Sequence, residues 1–138
     1  MTTTSPKTGH DGALRLFAAL VGVTAVLIVL QGVWAGMFIR EGQDNTHSWV
    51  EVHDWGARAA ILVSLIAAVV AVVRLRSRRD LLIGSVALFV LLFVEAYVGG
   101  LIGDSPAAET VHFPLALALV GLAVWLPIRS RAARRGTG

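Results

Sequence analysis

Apolar residues run through this chain in four long stretches separated by short polar segments. A helix needs about 20 consecutive apolar residues to cross a bilayer. Residues 13–39, 49–73 and 81–102 meet that length, and 111–128 falls just short of it. The segments between them leave no room for other secondary structure. Their brevity makes consecutive helices antiparallel neighbours. The predicted fold is therefore all-α, an integral membrane four-helix up-down bundle over 13–128. Residues 1–12, polar and Thr-rich, are expected to form a disordered tail carrying His10. Residues 129–138 form a basic tail.

Composition supports the membrane reading. Of 138 residues, 56% are hydrophobic and only 15% charged, too apolar for a soluble domain of this size. The first stretch is too long for a signal-peptide core and reads as an uncleaved span. With no cysteine, disulfides, thiolate metal sites and covalent haem attachment are all excluded. Eleven of the twelve basic residues are arginine, which together with the Ala and Val content suggests a high-GC bacterial source.

Charge then fixes an orientation. Arg74, Arg76, Arg78 and Arg79 lie between the second and third stretches, and Arg129, Arg131, Arg134 and Arg135 follow the fourth. Lys7 and Arg15 flank the start of the first. The opposite side carries Glu41, Asp44, Glu51, Asp54, Asp104 and Glu109, with Arg40 as its one loop cation. The positive-inside rule places both termini and the middle loop in the cytoplasm of a bacterial inner membrane, with 40–48 and 103–110 outside. The arginines read as topology determinants that also meet anionic lipid, and no nucleic-acid partner is expected.

The halves of the chain resemble each other. Leu30-Gln31-Gly32-Val33-Trp34-Ala35-Gly36 lies over Val94-Glu95-Ala96-Tyr97-Val98-Gly99-Gly100 at an offset of 64, and Val52-His53 lies over Val111-His112 at an offset of 59. This predicts two parallel two-helix repeats about an axis along the membrane normal. His53 and His112 then occupy matching positions near the outer ends of the second and fourth helices, at one depth. An ionisable residue so placed is a functional candidate. Gly36, Gly99 and Gly100 fall in the same layer, and Gly56 shares the face of His53. Paired imidazoles beside small residues suit a flat macrocycle with axial histidine ligands, that is, haem. Small residues equally permit close helix packing without a ligand.

Gln31, Arg58 and Glu95 each lie about eight residues, roughly 12 Å, below the outer ends of their helices. They are expected to form one inward polar layer in which Arg58 and Glu95 pair with each other or with Gln31. Trp34, Trp49, Trp55 and Tyr97 gather toward the outer interface as belt residues. Pro114 is expected in the first turn of the fourth helix, with Pro127 ending it. Thr110 and Ser48 are candidate caps.

One histidine at the outer end of the second helix and another at that of the fourth resembles half of a haem A synthase, across about 13–128. The chain also resembles small four-helix membrane proteins common in high-GC bacteria. The synthase resemblance implies that His53 and His112 are axial haem ligands. It does not extend to catalysis: Val50 stands where the family has its glutamate, Glu51 is one position off, and Asp54 replaces the usual arginine. The expected function is therefore that of a b-type haem protein in electron transfer or haem handling, with synthase-type catalysis not expected. Glu51, Asp54 and Glu109 are the candidate partners of the second imidazole nitrogens. A quinol, a redox protein or a respiratory complex would be its partner, alone or as an oligomer. The alternative is a cofactor-free accessory or assembly subunit of a larger membrane complex. A divalent-metal site from His47, His53, His112 and Glu51 is a further alternative.

Overall fold

The computed structural model describes residues 6–41 and 46–135. Four helices account for nearly all of them: α1 (Pro6–Glu41), α2 (Thr46–Arg74), α3 (Arg79–Gly99) and α4 (Pro106–Arg135). Each contains a segment long and apolar enough to cross a membrane: Gly9–Met37, Ser48–Arg74, Arg79–Gly99 and Pro106–Arg135. This is the architecture of a multi-pass membrane protein. α1 packs on α2 and α4, and α3 packs on the same two, so that α1 and α3 face each other diagonally, as do α2 and α4.

Hydropathy located the helices but misplaced several ends. The expected disordered tail is helical from Pro6, and residues 1–5 lie outside the described residues. α4 begins at Pro106 and continues to Arg135, through both Pro114 and Pro127. The physical reason is that apolar length marks membrane depth, whereas helix length follows backbone preference. Proline suits the first helical position at Pro6 and Pro106, because the N–H it lacks would be unsatisfied there. Ala and Arg then carry the helix past its apolar part. Thr110 does not cap α4; its Oγ1 donates to the Pro106 carbonyl one turn back, at 3.2 Å. α3 ends earlier than expected, at Gly99, and the turn that follows needs the left-handed conformation of Gly103 (φ 97°), which costs glycine little.

Each helix turns one narrow seam inward. On α1 it is Leu14, Phe17, Val21, Thr24 and Ile28; on α3 it is Leu81, Ser85, Leu88 and Leu92. On α4 it is Leu119, Ala123, Leu126, Ser130 and Ala133. These alternate three and four residues apart, the spacing of helices that cross at a shallow angle. The α2 seam is made of small residues: Gly56, Ala60, Ser64, Ala67 and Ala71. Small side chains let helix backbones approach closely where lipid offers no hydrophobic contrast. Large apolar residues such as Leu62, Ile83, Phe93 and Leu117 face outward, as expected against lipid.

The seam hydroxyls differ in what they hold. Thr24, Ser64 and Ser85 donate to carbonyls of their own helices, of Leu20, Ile61 and Leu82. Ser130 instead donates across to the Leu14 carbonyl of α1 at 2.9 Å, fully buried. Nearby, Asp80 accepts from Arg129 at 2.8 Å, and its other neighbour Arg78 lies 3.2 Å away. Leu75, in the turn between α2 and α3, is fully buried. The start of α1, the start of α3 and the end of α4 are thus tied together at one end of the molecule. A net intramolecular hydrogen bond is worth about 1 kcal/mol. Ser130→Ala should destabilise the protein by about that amount, measured by unfolding in detergent. Ser85→Ala, which removes only a bond within one helix, should have a markedly smaller effect.

Candidate functional site

The α1 and α3 seams continue past their apolar residues into polar ones. Three residues beyond Ile28 stands Gln31, and three beyond Leu92 stands Glu95. His53 precedes Gly56 on α2 by three, and His112 precedes Leu119 on α4 by seven. Seam spacing therefore points all four polar side chains toward neighbouring helices.

They meet in two pairs. His53 Nδ1 lies 3.2 Å from the backbone carbonyl of Gln31. His112 Nδ1 lies 3.1 Å from Glu95 Oε1. In each case a histidine of α2 or α4 turns the same ring nitrogen toward a polar residue of the preceding helix.

The first pair is reinforced by the Gln31 side chain. Its amide orientation is set by its neighbours. With the oxygen accepting from the Ala57 N–H at 3.1 Å, the amide nitrogen donates to the His53 carbonyl at 2.8 Å and to His53 Nδ1 at 3.1 Å. Gln31 thereby brackets the first turns of α2. It reaches them because Gly56 has no Cβ: an added methyl there would collide with the Trp34 ring and the Gln31 amide. Trp34 is accordingly half-buried in this notch and is not only an interfacial belt residue.

The second pair sits on α3. Glu95 and Gly99 are one turn apart and share a face. A Cβ at Gly99 would lie 2.9 Å from His112 Cε1 and 3.3 Å from Nδ1, so the imidazole rests directly on the glycine. Glu95 is only 8% exposed. Neither of its oxygens, nor His112 Nδ1, has an aligned hydrogen-bond partner among the described residues. The 3.1 Å approach is thus a close polar contact whose direction is not that of a formed bond. Buried polar groups left in this state are uncommon and mark strain or a missing partner.

Other expected residues lie elsewhere. Arg58 does not join a layer with Gln31 and Glu95. It is exposed, pairs with Asp54 one turn earlier at 2.8 Å, and lies 5.3 Å from the Trp55 ring centre. Its position, two residues past Gly56, is off the α2 seam, and a long cationic side chain reaches outward more cheaply than into a packed core. Among the described residues, no side chain comes within 4 Å of a Cβ built at Gly36 or Gly100. Asp54 is engaged by Arg58, and Glu51 and Glu109 are exposed. Gln31 and Glu95 face the imidazoles, and His53 has further contacts besides Gln31. The missed signal was seam register, which selects Gln31 and Glu95 and rejects Arg58. No cluster of three or more metal-ligating side chains exists among the described residues, and the His47 side chain lies outside them.

Two glycines separate packing from propensity. Alanine in a helix interior is favoured over glycine by about 1 kcal/mol. At Gly36 a Cβ meets no atom of the described residues within 4 Å, so Gly36→Ala should be neutral or stabilising. At Gly56 overpacking, at about 1–3 kcal/mol, should exceed that gain, and Gly56→Ala should lower the unfolding temperature in detergent. Equal shifts for the two variants would show that the Gly56 notch is not tightly filled. No family model, curated protein or solved structure matches the chain, so these side chains alone carry the functional reading.

Proposed function

We propose that the chain is a bacterial inner-membrane protein that holds a b-type haem between His53 and His112. The observation that carries this reading is the shared orientation of the two imidazoles. Each turns Nδ1 to a polar group on a neighbouring helix; with the proton on Nδ1, donated to the Gln31 carbonyl in place of the bond from the Gln31 amide, ligation would fall to Nε2. Metal-bound histidines are held in this way, their second nitrogen facing a carbonyl or carboxylate that fixes tautomer and ring angle. His53 and His112 belong to diagonal helices, an arrangement suited to approaching one metal from opposite sides.

Two further observations fit the group. The Glu95 oxygens and His112 Nδ1 lack aligned partners; a small rotation of the His112 ring on ligation would align its N–H with Glu95. Large fully buried side chains also stop short of the histidines. Leu14, Phe17, Leu75, Leu81 and Leu126 lie toward the opposite end, and Leu88 and Leu119 near the middle. Haem bound there supplies one-electron chemistry, tuned by its axial ligands and their hydrogen bonds. Gln31 and Glu95 orient the ligands, and the apolar seams exclude water. Two protein ligands leave no open iron position, which favours electron transfer or haem handling over catalysis. The partner is then a quinol, a redox protein or a respiratory complex reached from the outer leaflet.

This function presupposes an up-down bundle with cytoplasmic termini and two parallel helix-pair repeats. Equivalent placement of Gln31 and Glu95 against equivalent histidines supports the repeat. A second reading is a cofactor-free accessory subunit. It is favoured by the Gly56 notch and the Gly99 face being filled by Trp34, Gln31 and His112 themselves. Co-purification with a respiratory enzyme, without haem in this chain, would support it.

The proposal is decided by a reduced-minus-oxidised spectrum of protein purified from haem-replete cells. A b-type difference spectrum is expected, and it should vanish in the His53→Ala, His112→Ala double variant. Colourless wild-type protein, or full haem retention by the double variant, would overturn it. Glu95→Ala should weaken haem affinity by about 10–100-fold, the usual effect of removing a group that orients a metal ligand.

A further inference from the structure

At the end of the molecule opposite the histidines, a surface hollow of about 290 Å³ opens between the first turns of α1 and the last turns of α4. Its lining is Asp11, Arg15, Arg131, Arg134 and Arg135. Four guanidinium groups against one carboxylate give it a net positive charge. We propose that this hollow is a binding site for the headgroup phosphate of an anionic membrane lipid.

Three observations distinguish it from a diffuse basic surface. First, its walls are fixed. The buried bond from Ser130 to the Leu14 carbonyl clamps α4 to α1, and Arg15 and Arg131 are the residues immediately following the two clamped positions. Their backbones are held at a set separation, so both side chains start from fixed points on the rim of the hollow. Preorganised donors lose less freedom on binding than mobile ones.

Second, the arginines of this end divide into two groups. Arg78 and Arg129 converge on Asp80 and are committed to holding the start of α3 to the end of α4. The hollow gathers a different set around a concave surface. Arginine presents a planar fork of donors that matches phosphate oxygens, and several forks around one hollow can share a single phosphate.

Third, the depth is right. Arg15 lies at the start of the apolar part of α1, and Arg131, Arg134 and Arg135 lie just past the end of the apolar part of α4. In a chain whose apolar segments cross the bilayer, these positions lie at headgroup level. There anionic lipid is abundant and basic residues gain from the surface potential. A free phosphate compound offers the same oxygens but not the acyl chains, which would lie along the outward apolar residues of α1 and α4, such as Leu16 and Val124.

The test uses the full chain in neutral maltoside micelles, titrated with dihexanoyl phosphatidylglycerol, dihexanoyl phosphatidylcholine or inorganic phosphate, with bound species read by native mass spectrometry. Phosphatidylglycerol should bind at least about tenfold more tightly than the other two. Arg15→Gln with Arg131→Gln should reduce that affinity by roughly tenfold or more, at about fivefold for each basic residue lost. Arg74→Gln with Arg76→Gln, exposed arginines outside the hollow, should change it less than about twofold. Arg135→Gln alone, at an exposed position of the last turn, gives a second reading if the double variant does not fold; about a fivefold loss is expected. Equal losses from the Arg74/Arg76 pair would overturn the site in favour of a diffuse charge effect. Inorganic phosphate binding as tightly as the lipid would overturn the lipid assignment, as would the absence of any preference over phosphatidylcholine.

Discussion

The constraint on which this structure depends is steric register along four narrow seams. Every helix is apolar over most of its surface, and lipid is as apolar as the protein core. Hydrophobic contrast therefore cannot decide which face turns inward. Shape and polar pairing decide it. The small α2 seam from Gly56 to Ala71 admits the larger side chains of α1, while the leucines of α3 and α4 fill the space left between them. Close packing of this kind favours one rotation of each helix, because a turn of one residue would drive Leu65 or Phe93 into the interior.

That register carries polar residues inward with it. Gln31 and Glu95 occupy the next seam positions after Ile28 and Leu92, so the packing that buries the leucines also buries the polar groups. A carboxyl group buried beside lipid is expensive unless something pairs with it. His112 provides a contact at 3.1 Å, and Gly99 gives the ring a place to lie. The glycine and the glutamate are therefore parts of one device. Gln31 reaches a similar end differently, with its carbonyl facing His53 and its amide wrapped around the first turns of α2. The two halves share a plan, yet the small residue lies on the histidine's own helix in one half and on the facing helix in the other.

Much of the fold was legible because apolar length and short connections leave few alternatives. All four helices fall where hydropathy puts them. Their ends do not, because Pro6, Pro106 and the Arg- and Ala-rich end of α4 obey backbone preference and not membrane depth. At the candidate site, the polar residues were legible but not their arrangement. Gln31, Arg58 and Glu95 lie ten, twelve and four residues from the outer ends of their helices, not at the equal distances expected. Only the three-and-four spacing from Ile28, Leu92 and Gly56 separates the first and third, which turn inward, from Arg58, which turns out to Asp54. The Gly-Gly pair on α3 likewise splits: Gly99 supports His112 and Gly100 ends the helix. Sequence motifs read by composition treat such neighbours as equivalent, although 100° of helical rotation separates them.

The two ends of the molecule are built on different principles. At the arginine-rich end the buried side chains are large, Ser130 binds across to α1, and Asp80 gathers two arginines. Toward the histidines, large buried side chains give out and the polar atoms of Glu95 and His112 are in contact without aligned bonds. Stability that is uneven in this way lets one part of a protein open or adjust while the rest stays fixed. A rigid base with imperfectly satisfied groups at the other end suits a site that must accept something the folded chain does not itself supply. It also explains how the Glu95–His112 pair can remain under-bonded in a stable fold: the tightly packed end holds the helices in register, and each helix carries its polar residue into place along its seam.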